Sequence, residues 1–350
     1  MFMSRLPANA QRQACRAAAS FLTAALVIGA TFSAGAQTND RPAAARPGVQ
    51  ITTLTNRLRV EINGQLFTEY YYANVPRPFC YPLLGPGGLP MTRNYPMQSP
   101  EGEEHDHLHH RSFWFAHGLV NGLNFWTEQA PFGLQVHQRF TAVESGADSG
   151  VIKSTNNWVA SDGRVVCTDD RVLRIYARPD NERVFDFEIT LHAGEQPLVL
   201  GDTKEGTLGI RIAESMRLTK PVPKGSKKGP PGDGHIINSE GDRDAAAWGK
   251  RAEWVDYVGP VAGKTAGIAI FDHPANPHHP PWWHARDYGL LAANPVGQHD
   301  FENLPNHEAG NLVIPARQSV TFRYRIYLHE GDATQACVAE RFHDYALPTK

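Results

Sequence analysis

The chain has 350 residues, 41% of them hydrophobic and 20% charged, with a formal net charge of −2. That length and apolar content suffice for a large core, built as one all-β domain or as two smaller units. The near balance of charge argues against a broad nucleic-acid or anionic-membrane surface.

Arg5, Arg12 and Arg16 precede any acidic residue and are followed by an apolar run from Ala17 to Phe32, then by small residues at Ala34 and Ala36. This is the charge and cleavage pattern of a secretory signal peptide, and it predicts a leader over residues 1–36 cut before Gln37. The run falls short of the about 20 apolar residues of a membrane span. The processed protein is therefore expected in the periplasm or outside the cell, with no membrane insertion. Residues 37–50, rich in Pro and Ala, predict a flexible tether, and residues 51–350 a single domain. Cys15 departs with the leader, so Cys80, Cys167 and Cys337 allow one disulfide at most, and none sits in a C-x-x-C pair suited to thiolate zinc.

Beyond the tether, strand patterns dominate the chain. Leu58, Val60 and Ile62 alternate with Arg59 and Glu61, and Asn63-Gly64 then predicts a tight hairpin turn. Phe185, Phe187, Ile189 and Leu191 alternate with polar residues, as do Phe322, Tyr324, Ile326 and Leu328, the pattern of half-buried strands. Helical periodicity is confined mainly to Ala333–Tyr345, which predicts a short C-terminal helix. With 26 prolines and 31 glycines punctuating the chain, the expected fold is a large antiparallel β-sandwich.

The sixteen histidines are bunched. The first bunch is His105-Asp106-His107-Leu108-His109-His110-Arg111, followed by Trp114 and His117. In extended form it would put His107, His109 and Arg111 on one face. Asn121 follows in an Asn-Gly-Leu-Asn turn whose amides suit hydroxyl groups. The second bunch runs from Asp272 to Asp287 and holds His273, His278, His279, Trp282, Trp283, His284 and Arg286; His299 and Asp300 lie just beyond. Indole faces suit sugar rings, and His, Asn, Asp and Arg suit their hydroxyls. Glu205 and Glu240 stand next to glycines that allow close ligand approach and are candidate acid–base carboxylates.

Several motifs are similar to those of the bacterial family labelled PmoA-like: Tyr81-Pro82-Leu83-Leu84-Gly85-Pro86, Asp106-His107-Leu108-His109-His110-Arg111, Asp202-Thr203-Lys204-Glu205-Gly206, Asn238-Ser239-Glu240-Gly241, Trp248-Gly249-Lys250-Arg251 and the stretch Phe271–Gly297. The resemblance runs from about Leu54 to Gly331, with Leu108 standing where that family usually has Pro. The family label evokes a membrane methane monooxygenase subunit, which an exported chain without spans cannot be. The resemblance implies an all-β fold related to the large sandwiches of aldose epimerases and polysaccharide lyases, and an association with carbohydrate breakdown. It carries over no catalytic residues.

The function expected from these features is a carbohydrate-active enzyme of lyase, hydrolase or epimerase type, binding sugar across the concave face of the sandwich. His109, His110, His117 and His284 are the expected titrating groups and Glu205 and Glu240 their partners, with Arg111 and Arg286 as oxyanion or carboxylate clamps. Trp114, Asn121, Trp282, Trp283, Asp287 and His299 would bind the sugar. No cofactor is expected on this reading. The alternatives are a non-catalytic glycan-binding protein and a divalent-metal protein, in which His107 and His109 are joined by His273 or by His278, His279 or His284.

Overall fold

The computed structural model describes residues 47–221 and 229–347, so the expected leader and most of the expected tether lie outside the described residues. Two eight-stranded antiparallel sheets face each other. In spatial order the first holds β1 (Val49–Thr53), β2 (Arg57–Ile62), β3 (Gln65–Tyr71), β4 (Phe79–Leu83), β5 (Phe113–His117), β11 (Gly206–Arg211), β16 (Leu290–Asn294) and β15 (Trp282–Ala285). The second holds β12 (His235–Asn238), β13 (Trp254–Val261), β14 (Lys264–Asp272), β18 (Ser319–Glu330), β9 (Glu182–Ala193), β8 (Val165–Tyr176), β7 (Ser149–Val159) and β6 (Leu134–Glu144). A small pair, β10 (Leu198–Leu200) and β17 (Leu312–Ile314), stands apart. The first strand begins at Val49, two residues inside the expected tether.

Strand alternation sets the core. Leu58, Val60 and Ile62 are buried between half-buried neighbours, and Asn63 and Gly64 both take positive φ (51° and 79°), as a tight hairpin turn requires. Phe185 of the second sheet meets Phe67 and Phe113 of the first with ring centroids 5.8 and 5.1 Å apart, and Phe115 meets Trp158 and Phe322. Each such ring stabilises the fold by about 1.5–3 kcal/mol through burial. Cys80 and Cys167 are buried free thiols.

The terminal helix α2 (Val338–Ala346) starts five residues later than its periodicity predicts. The Asp332 carboxylate accepts the Thr334 and Gln335 amides, and Cys337 adopts φ 53°. This local turn competes with the helix until Val338. The helix then covers the outer face of the second sheet, packing Val338 and Phe342 on Phe271 and Tyr327.

The outer face of the first sheet is also buried. Phe79, Tyr81, Trp114, Ala116, Leu290 and Ala292 form a second apolar cluster there, with Trp126 from a covering loop. Strand register lines up one row on this face: Tyr71 opposite Phe79, Phe79 opposite Trp114, Trp114 opposite Gly209, Gly209 opposite Ala292, and Ala292 opposite His284. Large rings stand at one end of this row and an imidazole at the other. Two of the smallest side chains lie between them.

Candidate functional site

The small residues Gly209 and Ala292 make a floor, with Trp114 on one side and His284 on the other. Adjacent strands lie about 4.8 Å apart, so three strand spacings put these two backbones roughly 14 Å apart, and the row between them is buried. The Trp114 indole leans over Gly209, where an added Cβ would stand 2.6 Å from Cζ2. Trp114 Nε1, Trp126 Nε1 and His284 Nδ1 are buried polar atoms without hydrogen-bond partners among the described residues.

The first histidine bunch closes over this face as a turn and not as a strand. His107 takes φ 42°, the His110 amide donates to the His107 carbonyl at 2.9 Å, and Ser112 takes φ 61° before β5 begins. The turn stacks the His107 and His110 rings (4.7 Å, 7°), and His110 lies on Trp114 (5.2 Å, 21°). The extended arrangement expected from the sequence is thus corrected: an i to i+3 hydrogen bond and a left-handed His107 bring residues 107 and 110 together.

Tyr288, in the turn joining β15 to β16, stacks on His107 (4.9 Å, 9°). The two histidine-bearing segments, distant in sequence, therefore share one site. Arg286 lies over the same tyrosine ring at 5.2 Å and Arg211 at 4.8 Å.

Asp106 is the electrostatic centre. Its Oδ1 accepts from the buried Arg93 and, at 2.8 Å, from the buried Arg211, while Oδ2 meets His107 Nδ1 at 2.6 Å. Burial opposes its charge, but the His107 hydrogen bond and the arginines prevail and hold this carboxyl well below the usual carboxylate range. His107 thus has its Nδ1 committed to a carboxylate, which leaves Nε2 for a ligand.

Burial biases three imidazoles here, His109, His110 and His284, toward the neutral form. Burial, with His109 and Arg211 adding to it, holds His110 well below the ordinary value. Arg211 donates to His110 Nδ1 at 3.1 Å; a guanidinium can only donate, so His110 carries its proton on Nε2. Burial and neighbouring cations bring His109 and His284 down to about 3. Burial pushes the Glu205 carboxyl up, against the charges of Lys204, His107 and Arg286. Glu205 follows directly on Lys204, whose carbonyl lies beside the His284 ring. The site therefore sets an Asp-backed imidazole within electrostatic reach of a carboxyl biased toward its neutral form.

A family of unknown function, DUF6807, matches residues 57–343. The chain belongs to this family. No curated protein matches the sequence. Solved structures that this DUF6807 chain is similar to include an α-galactosidase from Lactobacillus brevis, at 7% identity and a TM-score of 0.40, over 81% of this chain and 39% of that one. A glycoside hydrolase family 97 enzyme from Pseudoalteromonas sp. strain K8, in complex with acarbose, gives 11% identity and a TM-score of 0.31, over 81% and 34%. The DUF6807 chain thus spans less than two-fifths of these proteins, and likeness of this degree transfers no activity. The matching family bears no PmoA-like label.

Several residues expected at the site of this DUF6807 member have other partners. Arg111 is bound bidentately by Glu128 at 2.8 and 2.6 Å, which occupies the fork expected to clamp an oxyanion. His117 is fully buried, its ring 2.8 Å from the Gly201 carbonyl, in the packing between β5 and β11. Strand alternation turns Trp283 into the core, where its indole donates to the Ala252 carbonyl. Its neighbour Trp282 donates to Glu302 and carries Arg251 on its face. Glu240 is exposed in a turn organised by Asn238, which accepts its amide.

Asn121 pins β10 by accepting the Val199 amide, and Asp287 accepts from Thr219. Asp202 accepts the His299 amide near the start of α1 (Gln298–Glu302). His273 lies with Tyr345 and the Arg323 carbonyl, so it does not join His107 and His109. No group of three or more His, Cys, Asp or Glu among the described residues could hold a metal ion.

Arg93 and Arg211 are functional candidates that sequence patterns alone did not place at the site, while Asp106 stood within the first histidine bunch without an assigned role. For Arg211 a signal was present: Leu208, Ile210 and Ile212 alternate inward, so Arg211 shares the outer face with Gly209.

Proposed function

We propose that the protein is an exported carbohydrate-active enzyme that moves a proton on a sugar derivative, with His107 as general base and Glu205 as general acid. The observation that supports this most is the Asp106–His107 pair, with the His107 ring stacked on Tyr288. Asp106 fixes the His107 tautomer with the proton on Nδ1, so that Nε2 is free to take a proton and the carboxylate stabilises the imidazolium that forms. Glu205, raised by burial, retains a proton for delivery closer to neutral pH than an exposed glutamate.

Asp106 is neutralised by two arginines, so it is not a free partner for Glu205 in the paired-carboxylate chemistry of glycoside hydrolysis. The arrangement favours the lyase and epimerase members of the class. Solvent-deuterium wash-in tests this: oligosaccharides incubated with enzyme in D2O should gain deuterium at one carbon, read by NMR. His107→Gln should slow the exchange by about 10²–10⁴-fold. Tight sugar binding with neither exchange nor product would reject the enzyme reading and establish a glycan-binding protein.

A further inference from the structure

We infer that the ligand of this site is an acidic sugar, and that Arg286 receives its carboxylate. This rests on the acid–base site proposed above and goes beyond it to substrate class.

The arginines around the site are sharply divided. Arg93 and Arg211 share Asp106, Arg77 and Arg111 share Glu128, and Arg217 is held by Glu104 and Glu214. Arg286 has no carboxylate within ion-pair distance among the described residues. The contact its guanidinium makes there is with the Tyr288 ring. Its backbone, by contrast, is fixed: the Arg286 amide donates to the Leu290 carbonyl at 2.7 Å, and its carbonyl accepts from Gly289 at 3.0 Å and from the Tyr257 hydroxyl at 3.2 Å.

A half-buried guanidinium on a rigid turn, resting on an aromatic face, keeps its donor fork available at little entropic cost. A planar carboxylate matches that fork with two parallel hydrogen bonds. One uncommitted cation fits one negative charge. Its neighbours in the field are His284, Tyr288 and Glu205, all of which feel its charge, so an anion bound there reaches the acid–base groups directly. A carboxylate seated on Arg286 would have its negative charge offset, and proton removal from the adjacent carbon would be eased for the same reason.

The test compares binding of uronic-acid oligosaccharides, their carboxyl-reduced counterparts and sulfated neutral oligosaccharides by calorimetry, for wild type, Arg286→Gln and Arg286→Lys. Wild type should prefer the uronate to its reduced form by on the order of ten- to hundredfold, the scale of a charge-assisted hydrogen-bonded pair. Arg286→Gln should abolish the preference and Arg286→Lys should restore part of it. Unchanged melting curves would show that both variants fold. Equal binding of uronate and reduced sugar by wild type, or a preference that survives Arg286→Gln, overturns the inference while leaving the acid–base site standing. Sulfated sugars bound as tightly as uronates overturn the carboxylate assignment. Failure of every sugar to bind refutes the proposed function itself.

Discussion

Gly209→Ala is the most local test of how the site floor is built. Gly209 does not take a positive φ, so alanine fits its backbone and the cost is steric alone. The new Cβ would stand 2.6, 2.8 and 2.9 Å from three atoms of the Trp114 indole. Carbon atoms pack at about 3.5–4.0 Å, so the indole must retreat by roughly 1 Å. It has little room: Trp114 is 1% exposed, with Trp126 at 5.3 Å and His110 at 5.2 Å. Overpacking of this kind costs about 1–3 kcal/mol, which lowers the melting temperature by several degrees in a protein of this size. Displacing Trp114 also tilts His110 and the His107 ring stacked on it, so near-ultraviolet circular dichroism should change and sugar affinity should fall. Gly194→Ala is the control, since a Cβ there meets nothing within 4 Å. If the two variants melt alike and bind sugar alike, Trp114 does not close the floor and the steric reasoning is refuted.

Three further outcomes are expected. Asp106→Asn leaves the fully buried Arg93 and Arg211 without their carboxylate and should cost about 3–5 kcal/mol in urea unfolding; because the Asp106 carboxyl is held below its unfolded value, that gap should be full above about pH 4 and close only as pH falls through the depressed folded value. His117→Ala should lower stability without altering activity per folded molecule, and His343→Ala, on the exposed side of α2, should change neither; paired melting curves and exchange rates separate the two. Stability should fall on acidification from about pH 6.5 toward 4, because His117 (lowered to about 4) and His284 (to about 3) bind fewer protons folded than unfolded. His329, which burial would lower but the Asp256 charge and hydrogen bond raise overall, acts in the other sense, its contribution present in acid and lost as pH rises through its folded value. Urea midpoints at pH 7 and 5, with His117→Gln flattening the slope, check the sign.

The sandwich was legible because alternation at Leu58–Ile62, Phe185–Leu191 and Phe322–Leu328 has a period that only a strand satisfies. The site was legible in part. Clustering of histidines marked two segments that the structure brings into contact at His107 and Tyr288, but composition does not encode chain direction. A left-handed His107 turned an expected strand face into a stacked turn. Arg93 and Arg211 were not singled out in the sequence, because their burial comes from the loop that brings Asp106 over them. The same alternation that located the strands separates Trp282 from Trp283, although adjacency made them look like one platform. Glu240 was misassigned because glycines that admit a ligand and glycines that close a turn are indistinguishable without their neighbours; here Asn238 accepts the Glu240 and Asp242 amides and makes the turn.

The central claim is that sugar chemistry occurs on the outer face of the first sheet at the Asp106-backed His107. A crystal structure of the Glu205→Gln protein with a bound uronate oligosaccharide measures this most directly. The expected result is a sugar with its reacting carbon about 3–3.5 Å from His107 Nε2 and its carboxylate on Arg286. A sugar seated on the second sheet, or on Trp282 and Arg251 away from His107, would contradict it.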